Sequence, residues 1–147
     1  MSYELTYFAL PALAESSRLA FTLGGIAFKD NVVDGEAWGK LKGGPEHPLT
    51  SGGLPWLCVD GGKKYGQSAA VARYVGKIAK YEGKALYPED PLAALEVDGA
   101  MDAVKDMFDS VGKTFAIQDA AEKIAARKKL LEEGQPVHTW LTRFSKM

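Results

Sequence analysis

The segment from Gly53 to Asp60 reads Gly-Leu-Pro-Trp-Leu-Cys-Val-Asp, and its pattern does most to decide the fold. An X-Pro bond stands directly before an apolar run, Trp56–Val59, which predicts a short strand that begins after the proline. The pair Gly61-Gly62 then predicts a turn into a short return strand at Lys64-Tyr65. These residues therefore predict an antiparallel β-hairpin.

Patterns on either side of this hairpin complete an α/β domain. In the upstream helix Leu19 and Leu23 lie one turn apart, and in the downstream helix Val71, Val75 and Ile78 share a face. A strand–helix–strand unit needs a crossover connection, so its two strands should be parallel, whereas the hairpin adds antiparallel strands. The order βαβαββα is the thioredoxin-like plan. Outside the hairpin, the predicted elements are a strand at 4–8, a helix at 14–23, a strand at 28–33, a short helix or irregular segment at 36–42, and a helix at 68–80.

A segment rich in glycine and proline, at 82–90, is expected to link this first domain, 1–81, to a second one. Beyond the linker the periodicity is purely helical, and Asp119 begins a variant capping box that predicts a helix to about Glu133. The earlier part of this region predicts a long amphipathic helix whose apolar stripe needs a partner. We therefore expect residues 91–147 to form a partial, all-helical domain. The stripe consists of Val97, Met101, Val104, Phe108 and Val111.

Composition and charge argue against several classes of function. The chain has 147 residues and a formal net charge of -1, with no basic stripe of the kind that binds nucleic acid. It shows neither a signal-peptide pattern nor an apolar run that could cross a bilayer, so we expect a cytoplasmic protein with no membrane partner. The single cysteine, Cys58, is flanked by apolar residues and is expected to be buried and structural. His47 and His138 are too few and too isolated for a metal cluster, so no metal is expected.

Three features mark the boundaries of predicted elements in the first domain. Tyr7 ends the first strand, Leu54-Pro55 precedes the third, and Gln67-Ser68 opens a helix. A phenol can donate a hydrogen bond, the backbone beside a proline can pair with an extended peptide, and a helix N-terminus attracts anions. Together they predict a pocket for an extended, anionic, peptide-like ligand. Each feature also has a structural interpretation: a packed ring, a strand start and an N-cap.

This arrangement resembles the glutathione site of cytosolic glutathione transferases, and the tyrosine-dependent, sigma-like members most closely. The resemblance covers the chain from Tyr3 to about Leu131 and is most specific in the first eighty or so positions. It implies that Tyr7 holds the glutathione thiolate and that the Leu54-Pro55 bond is cis. It also implies a homodimer in which Asp98 reaches the glutathione amine of the neighbouring subunit. The other residues implied to hold glutathione are Phe8, Trp38, Lys42, Gly53, Leu54, Pro55, Gln67 and Ser68.

Within this resemblance, each contact has a part of glutathione as its target. Leu54 would pair with the cysteinyl backbone through its main chain, and Gln67-Ser68 would receive the γ-glutamyl carboxylate at the helix N-terminus. Trp38 and Lys42, four residues apart, would face the glycine carboxylate. A surface tryptophan covered by a lysine stem explains the same spacing, and Asp98 could equally be a polar position on an amphipathic helix.

The implied function is attack of the glutathione thiolate on a small hydrophobic electrophile. A free thiol has a pKa of about 8.5, and a hydrogen bond from a phenol favours its charged form. Two alternatives within the family stay open: a glutathione-dependent prostaglandin isomerase, and a non-catalytic glutathione-binding or crystallin-like structural protein. A glutaredoxin-like disulfide exchanger would need a cysteine near Tyr7, and Cys58 stands elsewhere.

The chain departs from the family pattern at three places. Leu13 stands where an arginine often supports the tyrosine hydroxyl, so the pKa of the bound thiol could be higher. Gly53 stands where lysine or glutamine often binds glutathione, which would weaken affinity. Family members carry further helices after the region that matches Leu131, so we expect a shortened second domain.

Overall fold

The computed structural model describes residues 1–146, and they divide into two units. The first unit is Met1–Asp90 and the second begins at Pro91. The first unit contains β1 (Tyr3–Phe8), α1 (Glu15–Leu23), β2 (Lys29–Val33), α2 (Gly35–Lys42), β3 (Trp56–Val59), β4 (Lys64–Tyr65), α3 (Ser68–Ile78), β5 (Lys80–Tyr81) and β6 (Lys84–Ala85). The second contains α4 (Pro91–Gly112), α5 (Ala120–Lys129) and α6 (Pro136–Phe144).

The main sheet has four strands in the order β2-β1-β3-β4. Strand β1 is parallel to β2 and antiparallel to β3, and β3 is antiparallel to β4. The crossover through α1 and the β3–β4 hairpin therefore confirm the predicted thioredoxin-like plan. The segment at 36–42, left open between helix and irregular structure, is helical, because the Asp34 side chain caps α2 by accepting from the Ala37 N–H at 2.8 Å.

The core of the first unit lies between the sheet and the two helices α1 and α3. Its fully buried members are Leu5, Phe21, Leu57, Val71 and Val75, with Tyr7 and Ala14 beside them. The predicted apolar face of α3 is confirmed at Val71 and Val75. Burial of such side chains contributes about 1.5–3 kcal/mol each, which makes this cluster the main source of the unit's stability.

In α1, the buried face carries Ser17 and Phe21, whereas Leu19 and Leu23 are about half exposed. Two details differ from the sequence predictions. Helix α3 ends at Ile78 because Ala79 is extended (φ -80°, ψ 135°), and the chain then forms the β5–β6 hairpin. Cys58 is only partly buried, and its thiol donates to the Gly62 carbonyl oxygen at 3.3 Å.

The second unit is entirely helical, as expected. The Asp119 carboxylate accepts from the Glu122 N–H at 2.8 Å, which confirms the predicted N-cap, although α5 ends at Lys129 rather than near Glu133. In α6, Trp140 and Phe144 stack with ring centroids 5.8 Å apart. Helix α4 carries the predicted apolar stripe, yet none of its side chains is fully buried. Over residues 1–146, no helix is both long and apolar enough to cross a membrane.

Replacement of Ser17 by alanine should stabilise the protein. Its hydroxyl is fully buried in α1, and within residues 1–146 the Oγ atom has no hydrogen-bond partner. Since an unpaired buried hydroxyl costs free energy, we expect Ser17→Ala to raise the free energy of unfolding by about 1 kcal/mol in urea titrations. The exposed neighbour Ser16, changed to alanine, corrects for helix propensity. A loss of stability relative to Ser16→Ala would contradict the prediction.

Candidate functional site

The register of the sheet brings the three sequence features to one edge. Thr6, just before Tyr7, pairs with Trp56, so Leu54-Pro55 lies beside the end of β1. Leu57 pairs with both Leu5 and Tyr65, so β4 also finishes at this edge and leads into α3. The site therefore consists of the end of β1, the start of β3 and the N-terminus of α3.

Tyr7 lies in the core rather than on the surface, with 6% of its area exposed. Its ring contacts Phe8, with centroids 5.5 Å apart. Burial raises the pKa of the Tyr7 phenol, while a hydrogen bond from the Leu13 backbone and the charge of Arg18 lower it. Because the pKa is raised above its ordinary value of about 10, the phenol keeps its proton at neutral pH. Tyr7 can therefore act as a hydrogen-bond donor.

An aromatic cluster lies next to Tyr7 and links α2 to β3. Trp38 contacts Phe8 edge-on at 6.4 Å between centroids and Trp56 edge-on at 5.5 Å. His47 packs edge-on against Trp56 at 5.1 Å. Trp56 is almost fully buried, whereas Trp38 is half-buried. The cluster places the half-buried Trp38 ring against Phe8, at the end of β1.

The segment before β3 is held by its own polar groups. The indole Nε1 of Trp56 donates to the Gly53 carbonyl oxygen at 2.9 Å, and the Ser51 hydroxyl donates to the same oxygen. The Gly53 N–H in turn donates to Ser51 Oγ at 3.2 Å. The Leu54-Pro55 bond is cis, as the resemblance implied. An added Cβ on Gly53 would meet open space, so nothing in the backbone excludes a longer side chain there.

Helix α3 begins at Ser68, and the N-cap is Gln67 rather than the serine. Gln67 has a positive φ of 73°, and no side chain caps the first turn. The Gln67 side-chain amide instead donates to the Thr50 carbonyl oxygen at 2.6 Å. The helix has 11 residues, so its first turn presents backbone N–H groups and a positive dipole end. This end is suited to a carboxylate.

Gly66 is where the last two segments meet. A Cβ built on Gly66 would lie 2.1 Å from the Cβ atom of Ser51, closer than real side-chain atoms approach. Gly66 is buried, and it directly precedes Gln67. The absence of a side chain at this position therefore lets the segment before β3 pack against the start of α3.

The two remaining predicted site residues are Lys42 and Asp98. Lys42 is exposed in the last turn of α2, four residues from Trp38. Asp98 lies on α4, in the second unit, and is partly buried. The structure thus brings together the predicted residues of the sheet edge, which are Tyr7, Phe8, Trp38, Gly53, Leu54, Pro55, Gln67 and Ser68.

The sequence interpretation overlooked two residues at this site, Arg18 and Ser51. The Arg18 guanidinium lies over the Tyr7 ring, 5.7 Å from its centroid. The sequence does predict the face on which Arg18 lies. Arg18 follows Ala14 by four residues and precedes Phe21 by three, and this helical spacing places it on the buried face of α1. Ser51 gave no such signal, since its role depends on the fold of an irregular segment.

Comparisons with known proteins agree with this geometry, although no family model matches the chain. The chain is 36% identical over 134 residues to glutathione S-transferase 1 of Ascaris suum and 34% identical over 131 residues to glutathione S-transferase 3 of Caenorhabditis elegans. These matches cover 91% and 89% of this chain but 60% and 58% of the relatives, so the chain spans little more than half of their length.

Among solved structures, the chain is similar to the prostaglandin synthase D of Nilaparvata lugens, with a TM-score of 0.78 and 31% identity. That match covers 99% of this chain and 67% of the synthase. The fold and these similarities agree on one assignment. The chain belongs to the cytosolic glutathione S-transferase family.

Proposed function

We propose that the protein is a glutathione transferase that joins the glutathione thiolate to small hydrophobic electrophiles. The observation that carries the proposal is the buried, protonated Tyr7 phenol at the sheet edge that also holds Leu54 and the open N-terminus of α3. A hydrogen bond from that phenol stabilises a thiolate without supplying a competing negative charge. Glutathione is the co-substrate.

In the proposed reaction, Tyr7 donates a hydrogen bond to the sulfur and keeps its own proton. The thiol proton leaves to solvent, and the thiolate electron pair forms a carbon–sulfur bond with the electrophile. In a substitution, the leaving group departs with its bonding electrons. In an addition to a polarised double bond, the electron pair moves to the far atom of that bond, and this atom then takes a proton from solvent. Tyr7 acts by stabilising the negative sulfur before the attack, which raises the fraction of reactive thiolate at neutral pH.

The remaining residues would hold the tripeptide. Leu54 would pair through its main chain with the cysteinyl backbone, and the first turn of α3 at Gln67-Ser68 would bind the γ-glutamyl carboxylate. Trp38, braced by Trp56, would border the glycine end, where Lys42 adds a positive charge. Phe8, Gly53 and Pro55 complete the walls of this proposed site.

The proposal is tested by binding first and by chemistry second. The protein should be retained on immobilised glutathione, should be released by free glutathione, and should pass through a resin that lacks the ligand. The ultraviolet absorbance of the thiolate, followed across pH, should show that bound glutathione ionises below its free pKa of about 8.5. Binding without that shift would favour the non-catalytic alternative, and failure to bind would contradict the proposal.

A second candidate reaction is glutathione-dependent isomerisation of a prostaglandin. The similarity to a prostaglandin synthase D over 99% of this chain favours it. Both reactions begin with the same activated thiolate, so they share the Tyr7 site and differ in the electrophile. Product analysis with a prostaglandin substrate and with a simple aromatic electrophile distinguishes the two, since an isomerase regenerates free glutathione and a transferase consumes it.

We further propose a cytoplasmic homodimer in which Asp98 contacts the glutathione amine held by the neighbouring subunit. A chain with one cysteine suits a reducing compartment. Asp98 lies on α4 and is partly buried, and the family resemblance supports its role across the dimer. Sedimentation equilibrium gives the mass of the assembly directly, and a monomer at catalytic concentration would contradict this arrangement.

A further inference from the structure

We propose that Arg18 is the positioning residue for Tyr7, so that its guanidinium supplies the positive charge that Leu13 does not carry. This inference rests on the proposed function, because it assigns Arg18 a role in the same site. Four observations on the guanidinium support the inference. It lies over the phenol ring, it is largely buried, it is held in one orientation, and it donates hydrogen bonds to the backbone that follows Tyr7.

The guanidinium is held in one place by several acceptors. Arg18 Nε donates to Asp30 Oδ2 at 2.9 Å, and Nη2 donates to Asp30 Oδ1 at 3.3 Å, which makes a two-pronged pair with β2. Glu15, one turn earlier on α1, accepts from Nη1 at 3.4 Å. Only 15% of the Arg18 side chain is exposed. Because the planar guanidinium is bound on two edges, its distance from Tyr7 is fixed.

The same guanidinium also donates hydrogen bonds to backbone carbonyl groups immediately after Tyr7. Nη1 donates to the Leu10 carbonyl oxygen at 2.9 Å and Nη2 donates to the Phe8 carbonyl oxygen at 3.3 Å. These bonds fix the path of the chain as it leaves β1. Arg18 therefore constrains Tyr7 in two ways, through the backbone next to it and through the charge that lies 5.7 Å from its ring centroid.

The electrostatic part follows from the charges around the phenol. Burial favours the neutral form of Tyr7, whereas the Arg18 charge and the Leu13 backbone favour the ionised form and lower its pKa. The charged groups of this cluster are Arg18 on α1, Asp30 on β2 and Glu15 on α1, and the two carboxylates partly offset the guanidinium. A phenol beside a positive charge is a stronger hydrogen-bond donor, and the proposed chemistry requires a strong donor.

The test measures Tyr7 ionisation in the free protein, without glutathione. Alkaline difference absorbance of tyrosinate is recorded for the wild type, Arg18→Met and Asp30→Asn, and each curve is corrected with the same protein carrying Tyr7→Phe. We expect Arg18→Met to raise the pKa of Tyr7 by about one unit. Asp30→Asn should lower it, because the guanidinium then lacks its opposing carboxylate. Circular dichroism along the titration shows that each variant stays folded.

The two opposite directions separate a charge effect from simple loosening of the fold. Loosening would move both variants the same way, and that outcome, or no shift in either, would overturn the inference. Lys29→Met is the matched control, because Lys29 neighbours Asp30 on β2 but is 69% exposed, so its removal should leave Tyr7 unchanged. If Arg18→Met does not fold, Arg18→Gln replaces it in the same comparison with Asp30→Asn, since glutamine keeps a polar head group but removes the charge.

A separate measurement keeps this inference distinct from the proposed function. Thiolate absorbance of bound glutathione is compared in the wild type, Tyr7→Phe, Arg18→Met and the double variant. If Arg18 acts through Tyr7, its replacement raises the pKa of the bound thiol only where Tyr7 is present. An equal effect in both backgrounds would overturn the inference. No effect of Tyr7→Phe would instead count against the proposed function, while the tyrosinate result would still decide the role of Arg18.

Discussion

We expect the Tyr7→Phe variant to turn over about 100-fold more slowly than the wild type while it binds glutathione nearly as tightly. The phenylalanine ring keeps the packing against Phe8 and the core but removes the hydroxyl that donates to the sulfur. Most of the binding contacts proposed for the tripeptide come from other residues. The lost interaction therefore acts on the thiolate, which appears only after the thiol ionises, and not on the neutral ligand.

The measurement pairs steady-state kinetics with calorimetric titration of glutathione. Tyr3→Phe is the matched control, because Tyr3 is on the same strand but at its opposite end, where its hydroxyl bonds to the sulfur of Met1. Tyr3→Phe should leave both quantities unchanged. Since burial raises the pKa of Tyr7 above its ordinary value, the phenol keeps its proton through the neutral range, and the difference between wild type and Tyr7→Phe should persist across neutral pH. An equal loss in affinity and turnover would contradict the role of Tyr7.

The largest effect on stability is expected for Trp56→Ala. The Trp56 side chain is 1% exposed, contacts Trp38 and His47, and donates its indole N–H to the Gly53 carbonyl oxygen. Its removal leaves a cavity and takes away one of two donors to the Gly53 carbonyl oxygen, which still accepts from the Ser51 hydroxyl, so we expect a loss of about 3–5 kcal/mol in the free energy of unfolding. Because small domains are stable by only about 5–15 kcal/mol, the variant would stand close to unfolding.

Urea unfolding followed by circular dichroism measures this loss. Trp56→Phe keeps most of the ring contacts but loses the indole N–H, so its smaller loss isolates the hydrogen bond to Gly53. Trp140→Ala is the control for removing a tryptophan, since Trp140 is only half-buried and its ring contacts Phe144 and the Arg143 guanidinium on its own helix. A cost for Trp56→Ala no greater than that for Trp140→Ala would show that the aromatic cluster does not support the first unit.

The parts of the fold that the sequence predicts correctly rest on local signals. Each strand of the main sheet has its own apolar or alternating run, and the hairpin has its glycine turn, so the order of elements follows from short segments. The cap at Asp119 is equally local, because the acceptor and the N–H that it binds are three residues apart. The pocket predicted from Tyr7, Leu54-Pro55 and Gln67-Ser68 rests on the chemistry of the three features and on the family resemblance, whereas the register that brings them to one edge is seen only in the fold.

The errors arise where distant segments decide the outcome. The one-turn spacing of Leu19 and Leu23 does not say which face of α1 is buried, and in the fold that face carries Ser17 and Phe21. The spacing of Arg18 indicates its place on the buried face of α1, but its partners, Asp30 and the carbonyl groups after Tyr7, come into reach only once the crossover has formed. Local hydrophobicity cannot reveal such a pair, since a lone arginine on a helix is usually solvated.

The close approach of Gly66 to Ser51 has a consequence for exchanging parts between related proteins. Position 66 and the segment around Ser51 form a matched pair, since any side chain at position 66 would occupy the space of the Ser51 side chain. A chimera that takes the segment before β3 from one parent and the start of α3 from another inherits this fit only if the glycine is transferred as well. The two segments should therefore be exchanged together, although fourteen residues lie between Ser51 and Gly66 in the sequence.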